Sequence, residues 1–126
     1  DPSNADVALD RNFLRARVVP PWRERWPHVA RAVGRSARLA GEAAALLAER
    51  AAEDAAAVGP LPRLSVVALR VLGDARQRNL LRWLARQAGL PVPPEGALRA
   101  GLAGLLAPTA RSPAVRWPGA WLRRYR

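Results

Sequence analysis

Arginine is the residue whose type and spacing could do chemistry in this chain: all 21 basic residues are Arg. Arg78, Arg82 and Arg86 recur at i, i+4 and i+8, so on a helix they form one ridge, joined at its N-terminal end by Arg76. Arg31, Arg35 and Arg38 share a second helix face upstream. A guanidinium is a planar, weakly hydrated fork that suits phosphate oxygens and base faces better than an ammonium does. Rows of such groups predict a grip on a polyanion backbone. The plain alternative is a GC-rich coding bias, with the ridges as solvated faces.

Bond-making chemistry is not legible. The absence of Cys rules out a disulfide framework, thiolate metal sites and thiol catalysis. His28, the one histidine, follows Pro27 in an expected first helical turn and reads as a surface or capping residue. With so few ligands no zinc site assembles, and no metal residues are assigned. No nucleophile elbow or Gly-rich phosphate loop occurs, and Gly96, Gly101 and Gly104 do not make a dinucleotide fingerprint. Asp1, Asp6 and Asp10 offer oxygens to Mg²⁺, although loop and N-cap roles are the ordinary reading. Taken alone, the chain reads as a binder.

The charge is segregated. Residues 1–58 hold nine Arg against eight acids, whereas residues 59–126 hold twelve Arg against only Asp74 and Glu95. Blocks of this kind build a directed field, for which nucleic acid is the first partner and an anionic membrane surface a poorer one. No apolar run is long enough to span a membrane. The 126 residues suffice for a core, but 27 of them are Ala and none is Ile, so five Trp are expected to carry much of it. The chain contains no Met, so a processed product or an excised piece of a cytoplasmic protein is expected.

The elements that must position these residues are mainly helical. A polar opening leads to a short helix over about 10–19, which Pro20-Pro21 is expected to stop. One further turn over 21–26 precedes a long helix from about Pro27 to Ala57, with Val29, Val33, Ala40, Leu47 and Ala51 as its stripe and Leu39 and Leu46 widening it. On that helix Arg38 and Glu42 stand at pairing distance. Leu64–Leu72 reads as a strand entering one or two helical turns capped by Ser65. Asp74 and Gln77 have capping-box spacing for a helix over 75–88, with Leu80, Leu81, Leu84 and Ala88 inward and Gly89 as its stop. A helix over 94–106 and a β-hairpin turning at Pro118-Gly119 complete the chain. Trp26 and Trp83 read as core, while exposed Trp would stack unpaired bases.

The opening carries more than loop chemistry. Asp1-x-Ser3-Asn4-x-Asp6, then Arg11-Asn12-Phe13-Leu14-Arg15 and Pro20, resembles the segment joining the two functional parts of tRNA(Ile)-lysidine synthetases. Further matches follow in order: Arg25-Trp26-Pro27, Arg35-Ser36-Ala37, Asp74-Ala75-Arg76, Arg82-Trp83-Leu84, and Arg123-Arg124-Tyr125-Arg126. These enzymes are N-type ATP pyrophosphatases with an SGGxDS loop. They adenylate the wobble cytidine of an isoleucine tRNA at C2, and lysine then displaces AMP. The SGGxDS loop is not in this sequence.

The resemblance therefore implies that residues 1–19 are the tail of the catalytic domain and that residues 20–126 form a helical substrate-binding domain for tRNA. The expected architecture has one long helix, two to three shorter helices and a small C-terminal hairpin. Asp1, Ser3, Asn4, Arg11, Asn12 and Arg15 match the motif and are placed at the active-site edge. There Arg11 and Arg15 would meet phosphates and Asn4 a base or loop backbone; the alternative is that they fix a turn or pair internally. ATP with Mg and lysine would serve the full-length enzyme, with none bound to this chain, which is expected to be inactive alone. The expected partners are tRNA and the N-terminal catalytic domain, with a homodimer left open and no membrane. The rivals are a helical protein-interaction domain and a sequence-nonspecific RNA binder.

Overall fold

Helix formation starts where the polar opening ends. The computed structural model describes residues 7–108 and 113–125. In it α1 (Asp10–Phe13), a π-helical turn (Leu14–Val18) and α2 (Val19–Arg25) follow without a break. The expectation that Pro20-Pro21 stops the first helix is corrected. Both prolines lie in the first turn of α2, directly after the π turn. In a continuous α-helix their rings would strike the carbonyls four residues earlier. Those carbonyls, of Ala16 and Arg17, belong to the wider π turn.

After Trp26 and a turn, α3 runs over Val29–Val58, two residues later than Pro27 suggested. Its alanines favour so long a helix. Much of its apolar stripe is uncovered: Val33, Leu39, Leu46 and Leu47 are exposed, and only Ala51, Asp54 and Val58 are buried. The chain groups into two units, one ending at Ala44 and the other beginning at Ala45.

The second unit holds the main core. Gly59, at φ +97°, turns the chain out of α3. Ser65 Oγ then accepts a hydrogen bond from the Ala68 N–H and starts α4 (Val66–Val71), with no strand before it. Next come α5 (Asp74–Gln87) and α6 (Glu95–Leu106). Gly89, at φ +65°, ends α5 in a Schellman arrangement, with Leu90 N–H donating to Ala85 O and Gly89 N–H to Arg86 O.

The capping-box reading of Gln77 is overturned. The N-cap of α5 is Gly73, and Gln77 is buried, donating to Leu69 O at 3.1 Å and Leu72 O at 2.7 Å. A buried amide must find acceptors, and the carbonyls at the end of α4 supply them.

Leucine fills the core. Val58, Leu69, Leu72, Leu80 and Leu84 form one cluster; Leu81, Leu98, Leu102, Leu105 and Val115 form the other. The expectation that Trp would carry much of the core fails: Trp22, Trp26 and Trp121 are exposed, while Trp83 and Trp117 only border the clusters. A leucine fits fully between helices, whereas an indole needs an outlet for its N–H.

The hairpin forms as expected, with β1 (Ala114–Trp117) antiparallel to β2 (Ala120–Arg123). Pro118 and Gly119, the latter at φ +82°, make the turn. Val115 packs where Gly101 leaves room on α6, and Trp117 Nε1 donates to Pro91 O at 2.8 Å. Two arginines cap the carbonyl end of α6: Arg70 donates to Leu106 O through two nitrogens, and Arg124 donates to Ala107 O at 2.5 Å.

Candidate nucleic-acid interface

The α5 ridge is built by the burial of its opposite side. Gln77, Leu80, Leu81, Leu84 and Ala85 are buried, with Ala85 in place of the expected Ala88. Helical periodicity then leaves Arg78, Arg82 and Arg86 outward on one row, the first two half-buried and Arg86 exposed. Asn79 Nδ2 donates to Leu47 O at 2.7 Å and fixes α5 against the C-terminal half of α3.

Arg76 stands apart from that row. Its Nε donates to Asp54 Oδ2 at 3.1 Å, and a terminal nitrogen donates to Asp54 Oδ1. Asp54 is 3% exposed, so this guanidinium compensates a buried carboxylate. Arg50 Nε adds a second charge 3.5 Å away. The hydrogen bond from Arg76 holds the Asp54 carboxyl below its ordinary value; burial opposes this, and the charges of Arg76 and Arg50 add to it.

Arg99 is a ridge neighbour that sequence reasoning missed. It donates to Glu95 at 2.8 Å on α6, and Glu95 also feels the charges of Arg78 and Arg82. The Arg99 hydrogen bond comes first among the causes that lower the Glu95 pKa. The i,i+4 spacing announces the Glu95–Arg99 pair, but only the packing of α6 beside α5 brings it to the ridge.

In the first unit, Arg11, Asn12, Arg15 and Ala16 line one concave surface, so three of the motif residues come together. Asn12 is buried, while Arg11 and Arg15 are exposed on one helical face that continues into the π turn. These donors suit phosphate oxygens, and no carboxylate among the described residues lines the surface. That donor set does not fit Mg²⁺. Asp1, Ser3 and Asn4 lie outside the described residues, as does most of the proposed Asp1, Asp6 and Asp10 group.

Arg31, Arg35 and Arg38 are all exposed on α3. Arg31 contacts His28 Nδ1 at 2.9 Å, and Arg38 pairs with Glu42 at 2.7 Å, as their spacing suggested. Both Arg38 and Glu42 are solvent-facing, so the pair adds little stability. Among the described residues, no carboxylate pairs with Arg35, Arg78, Arg82 or Arg86. No helix among them is long and apolar enough to cross a membrane.

Comparison with known proteins gives the family. Residues 64–126 match the family described as the TilS substrate binding domain. A tRNA(Ile)-lysidine synthase of Alkalilimnicola ehrlichii is 49% identical over 100% of this chain and 28% of its own length. The Escherichia coli O157:H7 enzyme of the same name is 42% identical over 99% of this chain and 30% of its own length. In Pseudomonas putida the corresponding figures are 42% identity, 72% and 23%. The chain thus spans less than a third of the length of these relatives.

Proposed function

The chain belongs to the tRNA(Ile)-lysidine synthetase family, and from that premise we propose that it holds the tRNA while bond-making lies in other parts of the enzyme. The reaction served is the ATP-dependent joining of lysine to C2 of the wobble cytidine of an isoleucine tRNA, in the cytoplasm. ATP with Mg and lysine are used by the complete enzyme, and these residues hold none of them. Residues 1–19 are the tail of the catalytic domain, and 20–126 are the tRNA-binding domain.

The observation that carries this reading is the α5 row. Arg78, Arg82 and Arg86 share one helix face backed by buried leucines and carry no paired carboxylate among the described residues. Such a row matches the charge lattice of a nucleic-acid backbone. Arg31, Arg35 and Arg38 are a second set of tRNA contacts, on the first unit. Arg76 serves it by fixing α5 through Asp54. Arg11, Asn12 and Arg15, with Asp1, Ser3 and Asn4, border the reacting nucleotide, where the two guanidiniums meet phosphate oxygens.

Titration with tRNA and with poly-glutamate of equal charge at two salt concentrations tests the reading. The chain is expected to prefer tRNA, with a salt-dependent affinity. Replacing Arg78, Arg82 and Arg86 together by Gln reduces the salt slope by roughly 0.7–0.9 for each phosphate that is no longer neutralised. An unchanged slope in that variant, or equal binding of poly-glutamate, overturns the proposal. Lysine-dependent AMP release by this chain alone would refute its binding-only role.

A further inference from the structure

The hairpin has two unlike faces. Cross-strand partners in an antiparallel pair point to the same side. Val115 with Leu122 and Trp117 with Ala120 therefore form the inner face, which packs on α6 and on the Pro91 segment. The outer face carries Arg116 opposite Trp121, Arg123 beside them, and Tyr125 two residues farther on.

The Arg123 guanidinium carbon lies 4.8 Å from the Trp121 ring centre and 4.2 Å from that of Tyr125. Arg123 also donates to the Tyr125 hydroxyl. These contacts order both rings without covering them: Trp121 stays 53% exposed and Tyr125 72% exposed. Arg116, Trp117, Gly119, Ala120 and Trp121 line a shallow concavity on this hairpin. Residues 113–126 contain four Arg and no acid.

We propose that this outer face is a stacking site for an unpaired base of a bound RNA, with Trp121 and Tyr125 offering ring faces and Arg116 and Arg123 meeting the flanking phosphates. This proposal rests on the reading that the chain binds tRNA and adds a subsite distinct from the α5 row. The reason is electrostatic and steric together. An exposed indole held by a cation presents a fixed, flat, apolar surface with positive charge at its rim. A single-stranded nucleotide, with one π-face and one phosphate, complements both. A duplex cannot use the rings, because its bases are already stacked.

The test uses the 126-residue chain and a short single-stranded RNA with 2-aminopurine between uridines, alongside tRNA and an RNA duplex of equal charge. Binding is expected to change the aminopurine fluorescence. The Trp121→Ala and Tyr125→Ala variants, checked for retained helicity, are each expected to bind the single strand at least ~5-fold more weakly, the lower end of what removing one base stack costs. Trp121→Phe should retain most of the affinity, and the duplex should be unaffected by all three variants. At saturating RNA the triple α5 variant should still give the aminopurine response, with an affinity weakened by the lost charges.

Single-strand affinity unchanged in the Trp121→Ala, Tyr125→Ala double variant overturns the stacking site, and so does equal weakening of the duplex. In either case ridge-dependent tRNA binding still stands on its own measurement. Effective competition by poly-glutamate assigns the face to an acidic protein segment and overturns the RNA occupant. Loss of the aminopurine response in the triple α5 variant alone removes the claim of a distinct subsite.

Discussion

Asp54 on α3 and Arg76 on α5 are joined by two hydrogen bonds across 22 residues of sequence, and the carboxylate they involve is buried. The pair fastens the helix that carries the basic row to the helix behind it. A charge that looks available for RNA in the sequence is thus committed to internal structure.

Acid sensitivity follows from this pair. The folded state holds the Asp54 pKa below its ordinary 3.8, chiefly through the Arg76 hydrogen bond. The stability it contributes is therefore fully present above that ordinary value and is lost as pH falls through the lower folded value. Asp54→Asn should flatten this acid dependence, so the stability gap between variant and parent narrows on acidification. Arg76→Gln leaves the buried carboxylate with Arg50 alone and should lower the thermal midpoint at pH 7 by about 10 °C. Thermal unfolding monitored by circular dichroism from pH 7 to pH 3 checks both.

Gln77 joins α5 to the end of α4 through donation to two carbonyls. Gln77→Met removes the donor at similar volume and should cost ~1–3 kcal/mol in urea unfolding. Gln77→Glu should cost more at neutral pH, because a buried carboxylate can only face those carbonyls as an acceptor.

Gly101 and Gly104 sit in the same helix with opposite surroundings. A Cβ on Gly101 would lie 2.7 Å from Val115 Cγ2, whereas one on Gly104 meets nothing within 4 Å. Gly101→Ala should therefore destabilise the chain by ~1–3 kcal/mol from overpacking, less what helix propensity returns. Gly104→Ala should stabilise it by ~0.5–1 kcal/mol. The losses from Gly101→Ala and Val115→Ala should be less than additive when combined, and denaturant midpoints for both single variants and the double variant decide the matter.

The sequence by itself determined the local elements and the charge pattern. Helical spacing of apolar residues and the stop at Gly89 placed α3, α5 and α6 to within about two residues, and Pro118-Gly119 placed the hairpin turn. Ser65 was legible as a cap because its donor lies three residues away. The residues that repeat along one face of α5 follow from helix geometry alone. The same local reasoning erred at Pro20-Pro21, where a π turn relieved the clash that would have ended the helix.

Tertiary structure decided what each face meets. Asp54 finds Arg76, Arg70 and Arg124 find the end of α6, and Gln77 turns away from its own helix start. It also left Trp121 and Tyr125 outside while leucines filled the core. Periodicity specifies the direction of a side chain from its own axis. Its partner depends on which distant segment packs there, a choice made by the collective burial of leucine and the requirement that buried polar groups be satisfied.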